Sequence, residues 1–229
     1  MESIKKMRFI DGTVLKLIAM VTMIFDHVGD SFFPDLTWMR IIGRIAMPIF
    51  AFCIAEGFAH THDKAKYLTR MAIFAVISEV PFDLFGAGKV IDITHQNIMF
   101  TFAIAILALI IYEKLTVKRT KSGYVLGWLV LIAGAVLALI LITDYTFTGV
   151  ILVVVFYLLR KHDLLIKDGV GLACYLALRY VGIYVWGFLS FIVIAFYNGE
   201  RGMGLKYLFY VFYPAHLLLI FVLRTLIGC

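Results

Sequence analysis

"LKLIAMVTMIFDHVGD", residues 15–30, has the apolar density of a membrane-spanning helix, yet it carries Lys16, Asp26, His27 and Asp30. A run this long, without the two-residue alternation of a barrel strand, points to a helix. The rest of the chain agrees: its 229 residues are 63% hydrophobic with a mean hydropathy of +0.98. Soluble domains average roughly 45–50% apolar residues, and a water-soluble core does not absorb that excess. The expected fold class is therefore all-α, a polytopic transmembrane helix bundle. No long polar segment interrupts the pattern, so residues 1–229 are read as a single domain. The start "MESIKKMRF" is basic and an apolar run follows, as in a signal peptide. That run continues into charged residues without a small-residue cleavage site, which predicts a retained first helix. The cysteines Cys53, Cys174 and Cys229 are scattered and odd in number, suggesting neither a disulfide framework nor a metal site.

A helix needs about 20 residues to cross roughly 30 Å of hydrocarbon. Apolar stretches at 14–32, 38–59, 67–86, 97–115, 123–142, 146–160, 168–180, 182–197 and 205–225 predict about nine spans. The stretch 146–197 divides into short pieces punctuated by Gly169, Gly171, Gly182 and Gly187, the pattern of tilted, broken or re-entrant segments. With the N-terminus in the cytosol, 16 of the 21 basic residues, Lys5 and Lys6 among them, fall on the inner side. Only Arg40, Arg44, Lys89, Arg179 and Arg224 fall in the outer half, so the chain obeys the positive-inside rule. Nine spans then place the C-terminus outside.

Ionisable groups inside a membrane helix cost at least about 2.5–3.5 kcal/mol each and usually face a cavity or a partner. At 1.5 Å per residue, His27 lies roughly 8 Å below the outer end of the first span. Arg44 on the second span and Glu79 on the third fall at a similar depth, with Asp83 one turn above Glu79. "HQNIMFT" opens the fourth span there with His95, Gln96, Asn97 and Thr101, and Asp144 and Tyr145 cap a hairpin on the same side. His216, within "FYPAH", sits near mid-depth on the last span. Costly groups distant in sequence thus share one outer layer. Lys16 and His27, eleven residues apart, lie within about 20° of one helix face and roughly 16 Å apart along it. Arg40 and Arg44 share a face, and Asp30 lies one turn from His27, where a carboxylate orients an imidazole and raises its basicity.

Each group also has a plain alternative. A membrane histidine can simply hydrogen-bond a neighbouring helix, Arg44 and Glu79 can form a structural ion pair, and Lys16 can snorkel to the inner interface. No histidine pair at metal-ligand spacing stands on one helix, and "HTH" at His60–His62 is loop-like, so no metal is expected. No phosphate-binding glycine loop or G-x-S-x-G elbow is present, which argues against an ATP-driven pump and a serine hydrolase.

"LKLIAMVTMIFDHVG", "LTWMRIIGRIAMPIFAFCIAEGF", "YLTRMAIFAVISEVPFDL", "QNIMFT" and the block ending "YVFYPAHLLL" together resemble the TraX family over nearly the whole chain. That family is named for a conjugal-transfer protein associated with N-terminal acetylation of pilin. The first-helix pattern of a basic residue, ten residues and a histidine is similar to that of the acyltransferase-3 group, with Lys16 where those proteins usually carry arginine. "GRIAMPIFAF" is similar to their Arg–Pro–Phe block.

The resemblance implies a membrane-embedded acyltransferase of the bacterial cytoplasmic membrane that uses acetyl-CoA or a related acyl-CoA. The acceptor would be an amine or hydroxyl on the outer side, in a peptide, glycan or lipid. Under that reading Lys16 and the basic inner loops hold the phosphates of the donor, and Arg40, Asn97 and His216 join them as donor-contacting residues. His27 is the general base or a transient acyl carrier, oriented by Asp26 or Asp30. Arg44 stabilises the oxyanion, and Glu79 and Asp83 pair Arg44 or bind the acceptor. Membrane lipid is an expected partner and nucleic acid is not; the oligomeric state is not legible. A proton-coupled transporter and a structural component of a secretion or envelope complex are the competing classes.

Overall fold

A computed structural model describes residues 8–179 and 181–228 of the chain; Lys5, Lys6 and Cys229 lie outside them. The described residues form helices and no multi-residue strand, only isolated bridges such as Ile10 with Tyr197 and Gln96 with Thr143. The helices are α1 (Gly12–Phe32), α2 (Thr37–Gly43), α3 (Ala46–His60), α4 (Lys64–Ala87), α5 (Ile98–Thr116) and α6 (Lys121–Ile140). They continue as α7 (Thr146–Leu158), α8 (Leu164–Arg179), a 3-10 helix (Gly182–Phe188), α9 (Leu189–Ala195) and α10 (Lys206–Ile227).

Local chemistry sets these limits. Asp11 caps α1 by accepting from the backbone N–H groups of Thr13 and Val14, each at 2.8 Å. Asn97 caps α5 through the Met99 N–H, and Thr120 caps α6 through the Gly123 N–H. The break between α2 and α3 falls at Arg44 and Ile45, four and three residues before Pro48. Proline has no N–H for the carbonyl four residues back and its ring clashes with it, so the helix yields at Arg44.

Five helices among the described residues are long and apolar enough to cross a membrane: α1, α2–α3 taken together, α5, α6 and α10. The expectation of nine spans is corrected to these five. The remaining stretches are helical but fail on different grounds. The helix α4 has 24 residues but includes Lys64, Lys66, Arg70, Glu79 and Asp83. The helix α7 has only 13 residues, about 20 Å at 1.5 Å per residue. The 182–197 stretch is split into a seven-residue 3-10 turn and a seven-residue helix.

The short α7 is a central post. Its Val150, Leu152, Val153 and Phe156 are buried, and it packs against α3, α5, α6 and α8. Helix α6 lies outside it against α5, where Gly127 and Gly134 let the helices approach Tyr112 and Ala108 closely. The opposite face of α6 exposes Val125, Leu129, Ile132, Val136 and Ile140, the apolar surface expected toward lipid. Helices α1, α2–α3, α4 and α10 enclose the other half of the bundle.

Candidate functional site

One cavity of about 810 Å³ runs between α1, α3, α4 and α10. Both Gly12 and Asp30 line it, which spans about 27 Å of α1 at 1.5 Å per residue. Near the start of α1 its wall carries Lys16, His60, Arg70 and Arg201; near the other end it carries Asp30, Arg40, Arg44, His95 and Asp144. The middle is apolar and aromatic, with Met47, Phe50, Phe85 and Phe102 among its lining. The Lys16 ammonium lies 4.9 Å from the centroid of the Phe209 ring, held by a cation–π contact at the wall.

At the far end, consecutive residues of α1 split into two sets of contacts. Asp26 turns to the arginines. It is ion-paired with Arg44, and Arg40 Nε approaches its Oδ1 to 3.0 Å. Arg40 is also paired with Asp30. Arg44, placed by the break before Pro48, donates from Nε to the Arg40 carbonyl at 3.3 Å and from Nη1 to the Tyr145 hydroxyl at 3.4 Å. Its guanidinium lies 5.2 Å from the Tyr184 ring, and Arg179 packs on Tyr184 and Tyr145 at 5.1 and 5.3 Å. Gly43 makes this layer possible, because a Cβ there would collide with Asp26.

His27 faces the other way. Its Nδ1 lies 2.8 Å from His216 Nε2, and His216 Nδ1 lies 2.9 Å from the Phe212 carbonyl. The two imidazoles are nearly parallel, with Phe85 against His27 and Phe212 stacked on His216. Asp26 and Asp30 were the expected orienting groups for His27. Both carboxylates are instead engaged with arginines, and the ring meets His216.

Glu79, Asp83 and Asn97 form a separate group off the cavity wall. Asn97 is fully buried; it is bonded to Glu79 and donates from Nδ2 to the Ala75 carbonyl at 2.8 Å. Its backbone N–H also reaches Glu79, at 3.3 Å. Asp83 accepts from the Asp92 backbone N–H at 2.7 Å. These three residues fix the 88–97 connection and the start of α5; the expected pairing of Glu79 or Asp83 with Arg44 is absent among the described contacts. Asp144, in the turn between α6 and α7, lines the cavity; burial pushes its carboxyl above the ordinary range, opposed mainly by His95 and Arg44.

Tyr184 joined the site unforeseen, as did the role of Tyr145 as a partner of Arg44, whereas Arg70 and Arg201 were already among the basic residues expected on the inner side. A signal for Tyr184 existed in the glycines that bracket it, Gly182 and Gly187. Tyr145 sits in the left-handed region, φ 58° and ψ 1°, a backbone state that costs a non-glycine residue about 1–3 kcal/mol and concentrates at functional sites.

Comparison with known proteins identifies the family. A probable fimbrial assembly protein, FimC of serogroup H1 from Dichelobacter nodosus, is 30% identical over 234 residues, covering 90% of this chain and 92% of that protein. Protein TraX of Escherichia coli is 27% identical over 165 residues, covering 72% of this chain and 62% of that protein. No solved structure matches. The family model described as TraX protein matches residues 11–224, the segment that builds the cavity and both clusters. The chain therefore belongs to the TraX family, as a multi-pass protein of the bacterial inner membrane.

Proposed function

We propose that the chain is a membrane-embedded acetyltransferase that carries an acetyl group from cytosolic acetyl-CoA to an amine presented at the outer side. The observation that carries this reading is the single cavity joining Lys16 to His27. With the Lys16 end in the cytosol, a basic mouth of Lys16, Arg70 and Arg201 suits the phosphates of the donor. The apolar middle suits the slender pantetheine arm. The 16 Å rise from Lys16 to His27, roughly eleven residues of helix, brings the thioester to the polar outer layer.

His27 accepts the proton that the amine releases as nitrogen attacks the thioester carbon. The nitrogen–carbon bond forms, the carbon–sulfur bond breaks, and the proton passes to the departing thiolate. Arg44 is suited to the oxyanion: its contacts with Arg40, Tyr145 and Asp26 engage three of its five N–H groups, and the others are free to meet developing charge. The fimbrial assembly name of the Dichelobacter relative supports a pilin-type N-terminus as the acceptor.

Purified protein in lipid nanodiscs, given acetyl-CoA and a peptide with a free N-terminal amine, is expected to release free thiol and add an acetyl mass to the peptide. His27→Ala is expected to abolish both. A folded His27→Ala variant that still acetylates the peptide removes His27 from the chemistry, and a wild-type protein inert toward acetyl-CoA refutes the acetyltransferase reading.

A further inference from the structure

We infer that His216 is a positioning residue that holds His27 in the tautomer whose Nε2 carries the free lone pair. The inference rests on the acetyltransferase reading for its purpose, and on hydrogen-bond chemistry for its content. A backbone carbonyl only accepts, so the contact from His216 Nδ1 to the Phe212 carbonyl at 2.9 Å puts the His216 proton on Nδ1. A neutral His216 then has its lone pair on Nε2, directed at His27 Nδ1 at 2.8 Å. That contact is a hydrogen bond only if His27 Nδ1 carries the hydrogen. The remaining ring nitrogen of His27, Nε2, is therefore unprotonated, on a side chain that lines the cavity. A histidine thereby takes the orienting place that a carboxylate holds in a Ser–His–Asp triad.

The surroundings give a reason for an imidazole here. The charged groups around His27 are Arg44 and Arg40 from the α2–α3 break, held by Asp26 and Asp30, and among the described residues no carboxylate contact to the ring is seen. A proton taken at Nε2 makes an imidazolium beside two guanidiniums. Transfer of the Nδ1 hydrogen to His216 Nε2 moves that charge onto α10, where the Phe212 carbonyl already accepts from the ring. When the thiolate departs, the transfer reverses and His27 Nε2 returns its proton to sulfur. One proton leaves nitrogen and one arrives at sulfur, and both imidazoles end neutral.

Nitrogen-15 NMR of the full chain labelled at histidine reads the tautomer without reference to activity. Wild-type protein is expected to show His27 protonated at Nδ1 and bare at Nε2. In His216→Leu that preference is expected to be lost. In His216→Gln, whose side-chain amide oxygen reaches the place of Nε2, it is expected to be kept. In acetyl-CoA turnover with hydroxylamine as the probe acceptor, His216→Leu should lower kcat on the order of 10²-fold with KM for acetyl-CoA unchanged, and His216→Gln should recover most of it. A wild-type His27 protonated at Nε2 overturns the inference, as does a His216→Leu variant that turns over at the wild-type rate. Correct tautomers in a wild-type protein inert toward acetyl-CoA overturn the acetyltransferase reading and leave the histidine pairing standing.

Discussion

Replacing Gly43 with alanine tests whether the arginine–aspartate layer depends on the close approach of α1 and α2. An ideal Cβ on Gly43 would lie 2.8 Å from the Asp26 Cα and collide with the Asp26 side chain near its base. Neither obstacle is the far end of a flexible chain, so α1 and α2 must separate by roughly 1 Å to restore ordinary carbon contacts. Overpacking of this kind costs about 1–3 kcal/mol. The same separation draws Asp26 away from Arg44. At 8% and 5% exposure the two are shielded from water, and unpairing one member of a buried ion pair costs about 3–5 kcal/mol. The expected destabilisation therefore starts near 1 kcal/mol if the helices slide without breaking the pair, and approaches 5 kcal/mol if the pair is lost. Gly86→Ala is the control: it lies inside α4, nothing stands within 4 Å of the added Cβ, and alanine gains about 0.5–1 kcal/mol of helix preference there. Both variants are unfolded in one detergent by a denaturant series followed by tryptophan fluorescence. A Gly43→Ala variant within about 0.5 kcal/mol of Gly86→Ala, the range of inert substitutions, refutes the steric reasoning.

Lys16→Ala is expected to raise KM for acetyl-CoA about tenfold or more while sparing kcat, because a phosphate contact far from the thioester contributes uniform binding; steady-state kinetics with Lys16→Arg as the conservative comparison checks this. Asp11→Ala removes both cap bonds at the start of α1 and should cost about 1 kcal/mol, seen first as faster exchange of the Thr13 and Val14 amides. Asp63 caps α4, and the Lys66 backbone N–H followed by the Lys66 ammonium holds its carboxyl below the ordinary carboxylate range. A depressed folded value means the cap is fully present above the ordinary value of about 3.9 and is lost as pH falls through the lower folded value. Protection of the Lys66 amide should follow that course in wild type and become independent of pH in Asp63→Asn.

Depth was legible in the sequence and direction was not. The rise of 1.5 Å per residue is enough to put His27 and Arg44 at a similar depth, and in the structure Asp26, the neighbour of His27, is paired with Arg44. Which carboxylate meets which arginine depends on helix rotation and crossing, which one chain's spacing does not encode. Asp26 and His27 differ by about 100° around α1, so sequence neighbours meet different helices. His216 is 189 residues from His27, and its own spacing could give only a depth. Glu79 lay at the right height for Arg44 but points to Asn97, because the N–H groups that open α5 also need an acceptor. The number of spans failed for a related reason: a hydrophobic run shows that a segment is buried, in lipid or in protein. The 13-residue α7 is as apolar as a span because other helices surround it.

Under the proposed acetyltransferase reading, the division between Asp26 and His27 lets one helix hold an arginine cluster and keep a base usable. Had Asp26 faced His27, an imidazolium would form beside a carboxylate and Arg44 would be left buried without a counter-charge, a state that costs several kcal/mol. With Asp26 and Asp30 set against Arg40 and Arg44, the four charges balance. In the inferred histidine pairing, His27 draws its orientation from a neutral His216, which would fix the tautomer without adding a charge to the cavity. Under the proposed acetyltransferase reading, the layer suits a reaction that creates charge transiently. In that reading an oxyanion would meet N–H groups on Arg44, and the proton would pass to His216. A route for steady ion conduction would gain nothing from two arginines locked to two carboxylates across its outer end, whereas an acyl transfer needs those donors held still.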